Sequence, residues 1–167
     1  MLFRSIADTL SSLGINYRHM KQYDKAVEYY TQALSVYYRE ISQGADTEDI
    51  ANTLYNLGIN YSNMKQYEKA NEHHTQAFAV YREISQGADT KGIADTLFIL
   101  GFNHGHMKLY DKATEHHTQA LAVYREIAQG ANTKEVANTL FILGQNYSIM
   151  KQYDKAVEYY TQALAMY

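Results

Sequence analysis

The chain has 167 residues, the length of one ordinary domain or a short repeat array, and its formal net charge is −3. Proteins that bind nucleic-acid backbones are usually basic, so this charge argues against nucleic-acid binding. The absence of cysteine excludes disulfides, thiolate metal sites and cysteine nucleophiles, and it agrees with a cytoplasmic location. The N-terminal sequence lacks the apolar stretch of a signal peptide or membrane anchor. The absence of proline favours a mostly helical chain, because proline interrupts helices.

The sequence repeats itself at a spacing of 43 or 44 residues. Lys21–Leu34 and Lys151–Leu164 share the same fourteen residues. Similar segments begin at Ile6, Ile50, Ile93 and Val136. These starts predict a single repeat domain over residues 1–167, with repeats at about 6–49, 50–92, 93–135 and 136–167, of which the last is incomplete.

Within each repeat, the apolar spacing predicts two helices joined by a tight turn. In the second repeat, Leu54 and Leu57 belong to one helical stripe, and another stripe follows after the turn. Gly87 is the predicted residue just past the end of the second helix. Asp89 is the predicted N-cap of the helix that follows. Its counterparts in the neighbouring repeats are Asp46 and Asn132.

The first repeat holds one residue more than the others, at Tyr37–Tyr38. One extra residue rotates the rest of a helix by about 100°, because a turn holds ~3.6 residues. We therefore predict a π-bulge near Tyr37–Tyr38, which would bring Ile41 back into phase with its counterparts.

The repeated pattern resembles a known family. The first repeat reads L-x-x-L-G-x-x-Y from Leu10 and A-x-x-x-Y-x-x-A from Ala26, which resembles the tetratricopeptide repeat pattern W-x-x-L-G-x-x-Y…A-x-x-x-F…P. The other three repeats match this pattern from Leu54, Leu97 and Leu140. Leucine replaces the tryptophan and the final proline is missing. The long repeat is similar to those of kinesin light chains and related signalling scaffolds.

This resemblance implies an all-α fold, a right-handed α–α superhelix (solenoid) of four helix-turn-helix repeats. It also implies a non-enzymatic scaffold that binds a peptide or helical segment of a partner protein in a concave groove. The first helix of each hairpin lines that groove in the family.

Carried over by position, the groove residues are polar in the second repeat and apolar further along. The expected partner-binding residues are Asn52, Tyr55, Asn56, Ile59, Asn63, Asp95, Phe98, Ile99, Phe102, His106, Asn138, Phe141, Ile142 and Gln145. Asparagine amides can pair with the main chain of an extended peptide, and the phenylalanines form an apolar patch of the kind that marks interaction sites. The basic clamp of some family members is not matched. We therefore expect an apolar or amphipathic partner segment, neutral to mildly basic.

No chemistry beyond binding is indicated. The sequence contains no phosphate-binding glycine loop, and without cysteine it offers no visible nucleophile. We predict no enzymatic activity, no catalytic residue, no cofactor, no metal ligand and no membrane partner. Lys25 and Glu28, with their counterparts in the other repeats, have the spacing of ion pairs on a solvated helix face.

Six of the seven histidines lie in two clusters: His73, His74, His104, His106, His116 and His117. His74 and His117 stand where the other repeats have tyrosine, so we expect packed rings at these positions. A Zn²⁺ or Ni²⁺ site of His104 with His117, which His74 could join, stays open as an alternative. A pH-sensitive seam between the second and third repeats is the other.

Two further alternatives concern what surrounds the chain. It could be the regulatory or sensor region of a larger signalling protein such as an ATPase, or its groove could be covered by another part of the same protein. Ala163, Leu164 and Met166 are expected to be partly bare at the end of the last helix. The uncapped ends would then belong to a longer array or associate with another copy.

Overall fold

A computed structural model describes residues 2–40 and 47–166, and α-helix is the only regular secondary structure in these two ranges. The helices are α1 (Leu2–His19), α2 (Tyr23–Glu40), α3 (Thr47–Asn63), α4 (Tyr67–Ile84), α5 (Lys91–His106), α6 (Tyr110–Ala128), α7 (Lys134–Ile149) and α8 (Tyr153–Leu164). They pair as four hairpins, so the predicted all-α class of helix-turn-helix repeats is confirmed. None of the described helices has the length and apolar character needed to cross a membrane.

The chain divides into two compact units between Gln86 and Gly87. In the first unit, α1 packs on α2 and α3 packs on α4, while α2 also packs on α3. The second unit repeats this order with α5 to α8. Small residues allow the close approach of paired helices: Ala70 and Ala77 of α4, for example, are fully buried.

A lysine in the left-handed conformation ends the first helix of every hairpin. In the second hairpin, Lys65 has a φ of 59°. Its N–H donates to the carbonyl of Ser62, and the N–H of Gln66 donates to the carbonyl of Tyr61, both at 2.9 Å. This is the Schellman arrangement, which satisfies helix-end carbonyls and reverses the chain within a few residues.

The predicted π-bulge is wrong. Helix α2 is an α-helix over the whole of Tyr23–Glu40. The hydroxyl of Tyr37 donates to Asp8 Oδ1 at 2.6 Å, which matches the bond from Tyr81 to Asn52 Oδ1 at 2.5 Å in the next hairpin. The repeat register is therefore intact through Tyr37, and the extra residue follows it. Ile41 lies outside the described residues.

The predicted N-caps are displaced by one residue. Thr90, not Asp89, caps α5: its backbone is extended, and its side-chain Oγ1 accepts the N–H of Ile93 at 3.4 Å. Thr133 replaces Asn132 in the same way before α7. Asp46 lies outside the described residues. The prediction that Gly87 lies just past the end of α4 is off by one residue. The C-cap is Ser85, and Gly87, with a φ of 90°, lies two residues beyond it.

Of the three residues expected to be partly exposed at the end of the last hairpin, two are. Leu164 is exposed and Met166 is half-buried. Ala163 is buried, contrary to the prediction, because its position faces the partner helix of the hairpin in every repeat, as Ala33 and Ala120 do.

Candidate binding surface

The predicted partner-binding residues all lie on the first helices of hairpins, on α3 in the first unit and on α5 and α7 in the second. In the second unit, the structure brings several of them together around one pocket of about 240 Å³. The pocket is lined by Gly101, Phe102, Gly105, His106, Tyr110, His117, Ile142, Gln145, Asn146 and Ile149. A cavity of about 150 Å³ can hold benzene, so this pocket has room for one large apolar side chain.

Apolar side chains form the rim of this pocket. Phe102 is 40% exposed and Ile149 is 55% exposed, while Ile142 is half-buried. The ring of Phe102 meets the ring of His106 edge to face, with centroids 4.5 Å apart. Exposed apolar groups gathered around a concavity are typical of interaction sites.

His117 forms the buried floor of the pocket. Its ring lies against the backbone of α5, where a Cβ added to Gly101 would come within 2.6 Å of it. Asn146 Nδ2 donates to His117 Nδ1 at 3.1 Å, so the ring hydrogen belongs on Nε2. Nε2 makes no hydrogen bond of ordinary geometry with any described residue.

Burial sets the protonation state of the His117 imidazole. Desolvation lowers the pKa of His117 to about 4, and the backbone of Phe98 offsets this only in part. The imidazole is therefore neutral near pH 7. His74 in the first unit is also fully buried, and burial is the main cause that lowers its pKa to about 4.

Three of the predicted groove residues pack on a ring of the second helix of their own hairpin, which is a buried histidine in two cases and the half-buried Tyr160 in the third. Phe98 lies over His117 with centroids 5.2 Å apart, and Tyr55 lies over His74 at 5.5 Å. Phe141 lies over Tyr160 at 5.6 Å and is still 46% exposed. Each of these three side chains packs within its hairpin on one face and is partly exposed to solvent on the other.

Two polar groove residues of the first unit already have partners within the fold. Asn52 Oδ1 accepts the hydroxyl of Tyr81, and Asn56 Oδ1 accepts Arg18 Nη1 at 3.1 Å. Their oxygens are therefore engaged, although the sequence suggested that they would serve a peptide.

Asp95 has a similar structural role in the second unit. Its Oδ1 accepts the hydroxyl of Tyr124 at 2.6 Å and lies 3.3 Å from Lys91 Nζ. The same lysine reaches Glu135 Oε1 at 3.2 Å, which ties the start of α5 to the start of α7.

The remaining predicted residues do not line the pocket. Ile59 and Ile99 are half-buried, whereas Asn63 and Asn138 are exposed. Sequence reasoning missed Tyr110, His117 and Asn146 as pocket residues. The repeated asparagine two positions after the glycine of L-x-x-L-G was the signal that could have revealed Asn146.

The structure pairs the histidines differently from the suggested metal site. His104 stacks on His116, with centroids 5.0 Å apart, and each Nδ1 bonds a backbone carbonyl of its own helix at 2.9 Å. His117 Nδ1 is engaged by Asn146. Within residues 2–40 and 47–166, no group of three or more His, Asp or Glu side chains is placed to hold a metal ion.

Solved structures share this fold over nearly the whole chain. BtubC (BKLC) from P. vanneervenii matches 96% of the chain with a TM-score of 0.84 and 22% identity. Aspartyl phosphate phosphatase F from Bacillus subtilis matches 98%, also with a TM-score of 0.84 and 22% identity. The chain spans 62% and 40% of the lengths of these two proteins.

A third structure has repeats of the same kind. The nearly identical TPR-like repeats of a Podosopora anserina protein assigned as a kinesin light chain match 98% of this chain and 75% of their own, with a TM-score of 0.78 and 18% identity. No curated protein matches the sequence significantly. The family model of the tetratricopeptide repeat matches residues 5–83 and 92–167. The chain therefore belongs to the tetratricopeptide repeat family, with long repeats like those of kinesin light chains.

Proposed function

We propose that this chain is a non-enzymatic protein–protein interaction scaffold that binds an apolar or amphipathic segment of a partner protein. The pocket lined by Phe102, Ile142 and Ile149 carries the proposal, because it joins exposed apolar side chains to a concavity of side-chain size. A partner would insert one large apolar side chain there and lay its neighbouring residues along α5 and α7.

The chemistry of the pocket supports an uncharged anchor. The residues that line it include no Asp, Glu, Lys or Arg, and its buried imidazole is neutral near pH 7. Burying a charged side chain in such a place would be unfavourable, since nothing there would pair with it. Gln145 is exposed at the rim and can bond the main chain of the partner through both its donor and its acceptor.

The neutral, packed surroundings also favour binding over catalysis. Enzyme sites usually combine a nucleophile or general base with groups that stabilise developing charge. Here Asn146 and His117 pair with each other, and their pairing serves the packing of α6 against α7. We place the protein in the cytoplasm, in keeping with its lack of cysteine.

A second candidate is that the chain acts as the sensor or regulatory region of a longer signalling protein. It is favoured by length, because the chain spans only 40% of the aspartyl phosphate phosphatase whose fold it shares. The same pocket would then bind either a separate regulator or another segment of the longer protein.

The pocket can be tested without a known partner by selecting binders from a displayed library of random peptides. We expect selected peptides to share an aromatic or long aliphatic anchor, and we expect Phe102→Asp to weaken their binding at least tenfold. Phe3→Asp is the matched control, because Phe3 is 48% exposed on α1 and lies outside the pocket. Peptides that bind wild type and Phe102→Asp equally would contradict the proposal.

A further inference from the structure

The last helix repeats the sequence of the second helix, and within residues 2–40 and 47–166 no later helix covers it as α3 covers α2. Residues 151–164 are identical to residues 21–34. In the first unit, α3 packs on α2 and leaves Leu34 only 8% exposed. The counterpart Leu164 on α8 is 75% exposed. Val157 and Tyr153 are exposed in the same way, whereas Val27 and Tyr23 are half-buried.

Helix α1 has exposed residues whose counterparts on α3 are buried. Helix α1 repeats four residues of the α3 surface that meets the preceding hairpin: Ile6, Thr9, Leu13 and Asn16 are identical to Ile50, Thr53, Leu57 and Asn60. All four residues of α3 are buried, and all four residues of α1 are exposed. Ile50 is 2% exposed against 41% for Ile6, and Leu57 is 2% exposed against 36% for Leu13.

The interface between α2 and α3 therefore shows how a surface like that of α8 packs against a surface like that of α1. In that contact, Asn60 Nδ2 donates to the carbonyl of Tyr23 at 3.0 Å, beside the apolar residues of α2 and α3. In the second unit, α6 also packs on α7, and the homologous Asn146 bonds the ring of His117 instead of a backbone carbonyl. The asparagine thus crosses from one hairpin to the next in both units.

We propose that copies of this chain associate head to tail, with α1 of one copy packed on α8 of another. The contact reproduces the α2–α3 interface, because residues 151–164 repeat residues 21–34 and α1 repeats Ile50, Leu57 and Asn60 of α3. Asn16 of the second copy would donate to the carbonyl of Tyr153, as Asn60 does to that of Tyr23. The two surfaces are different, so each contact leaves one α1 surface and one α8 surface unused, and further copies can add there.

Complementary variants test this arrangement directly. Thr9→Arg blocks the α1 surface and Leu164→Arg blocks the α8 surface, and both side chains are exposed in the single chain, so the hairpins should stay folded. We expect the mass of the wild-type chain in light scattering to rise with concentration, and each variant alone to remain a monomer. An equimolar mixture of the two variants should form a 1:1 complex, since it contains one intact pair of surfaces.

Thr118→Arg provides the matched control, because Thr118 is exposed on α6 and belongs to neither end. This variant should assemble like the wild type, and circular dichroism should show equal helix content for all three variants. A wild-type chain that stays monomeric at every concentration would overturn the proposal and point to a flanking helix as the natural occupant. Dimers of Thr9→Arg alone would also overturn it, because they would show a symmetric contact between two α8 helices.

Discussion

The side chain of Asn146 on α7 donates to the buried imidazole of His117 on α6 at 3.1 Å. This bond joins two successive hairpins and fixes which nitrogen of the ring carries hydrogen. It also holds His117 as the floor of the pocket beneath Phe102 and Ile149. One polar contact therefore links the packing of the second unit to its candidate binding surface.

Replacing Asn146 by alanine should destabilise the protein. Asn146 and His117 are both buried, so the variant leaves Nδ1 of the imidazole without its donor. An unpaired buried polar group costs about 1–3 kcal/mol. Urea unfolding of Asn146→Ala measures this loss, with Asn138→Ala on the exposed face of α7 as the control. Equal unfolding midpoints for the two variants would contradict this role of Asn146.

The pair Gly101 and Gly105 offers a test of ring packing within one helix. A Cβ at Gly101 would lie 2.6 Å from the His117 ring, whereas a Cβ at Gly105 would meet nothing within 4 Å. We expect Gly101→Ala to lower the free energy of unfolding by about 1–3 kcal/mol through overpacking. Gly105→Ala should raise it by up to about 1 kcal/mol, because alanine favours the helix. Thermal or urea unfolding measures both, and a stabilising Gly101→Ala would refute the packing account.

The buried histidines should make the fold sensitive to acid. The pKa of His117 is lowered from 6.5 to about 4, so the unfolded chain takes up a proton more readily than the folded one. His117 therefore makes its full contribution to the free energy of unfolding above pH 6.5. This contribution declines as the pH falls toward 4, by roughly 3 kcal/mol in all.

His117→Tyr should remove this part of the acid sensitivity, because Tyr160 occupies the same position in the fourth hairpin. Urea unfolding between pH 7 and pH 4 compares the variant with the wild type, and His106→Tyr at the exposed pocket rim is the control. Parallel pH profiles for wild type and His117→Tyr would rule out His117 as the group that titrates.

The hydroxyl of Tyr124 should contribute measurably to stability. It donates to Asp95 at 2.6 Å in a partly buried place, and hydrogen bonds to charged groups contribute about 1.5–3 kcal/mol. Because Lys91 and solvent also contact the Asp95 carboxylate, we expect Tyr124→Phe to lower the free energy of unfolding by about 1 kcal/mol. Tyr38→Phe is the control because Tyr38 is 51% exposed. No difference between the two in chemical unfolding would mean that the bond is not stabilising.

The repeat architecture could be predicted because the same apolar stripe recurs four times in register. A single stripe leaves the partner of a helix open, but four equal units must stack on one another to bury it. Local details were less predictable. Thr90 and Asp89 are both good N-cap residues, and only the backbone shows that the helix begins after the threonine. The extra residue near Tyr38 suggested a bulge, yet the helix continues unchanged.

The candidate surface was more predictable for apolar residues, because the repeat pattern alone places Phe102 and Ile142 outside the packing stripe of their helices. It was less predictable for polar residues, because their partners come from other helices. Asn52 looks available in the sequence, but Tyr81 lies twenty-nine residues further on and bonds its oxygen. Asn146 looks like a surface residue and is buried, because its partner His117 belongs to the preceding hairpin.

The most direct test of the binding account is an NMR titration of isoleucine-methyl-labelled protein with a selected peptide. Ile142 and Ile149 line the pocket, whereas Ile127 is exposed at the end of α6 and lies outside it. We predict that the methyl signals of Ile142 and Ile149 shift and saturate together while that of Ile127 stays in place. Saturable shifts at Ile127 with unchanged signals from Ile142 and Ile149 would contradict the account.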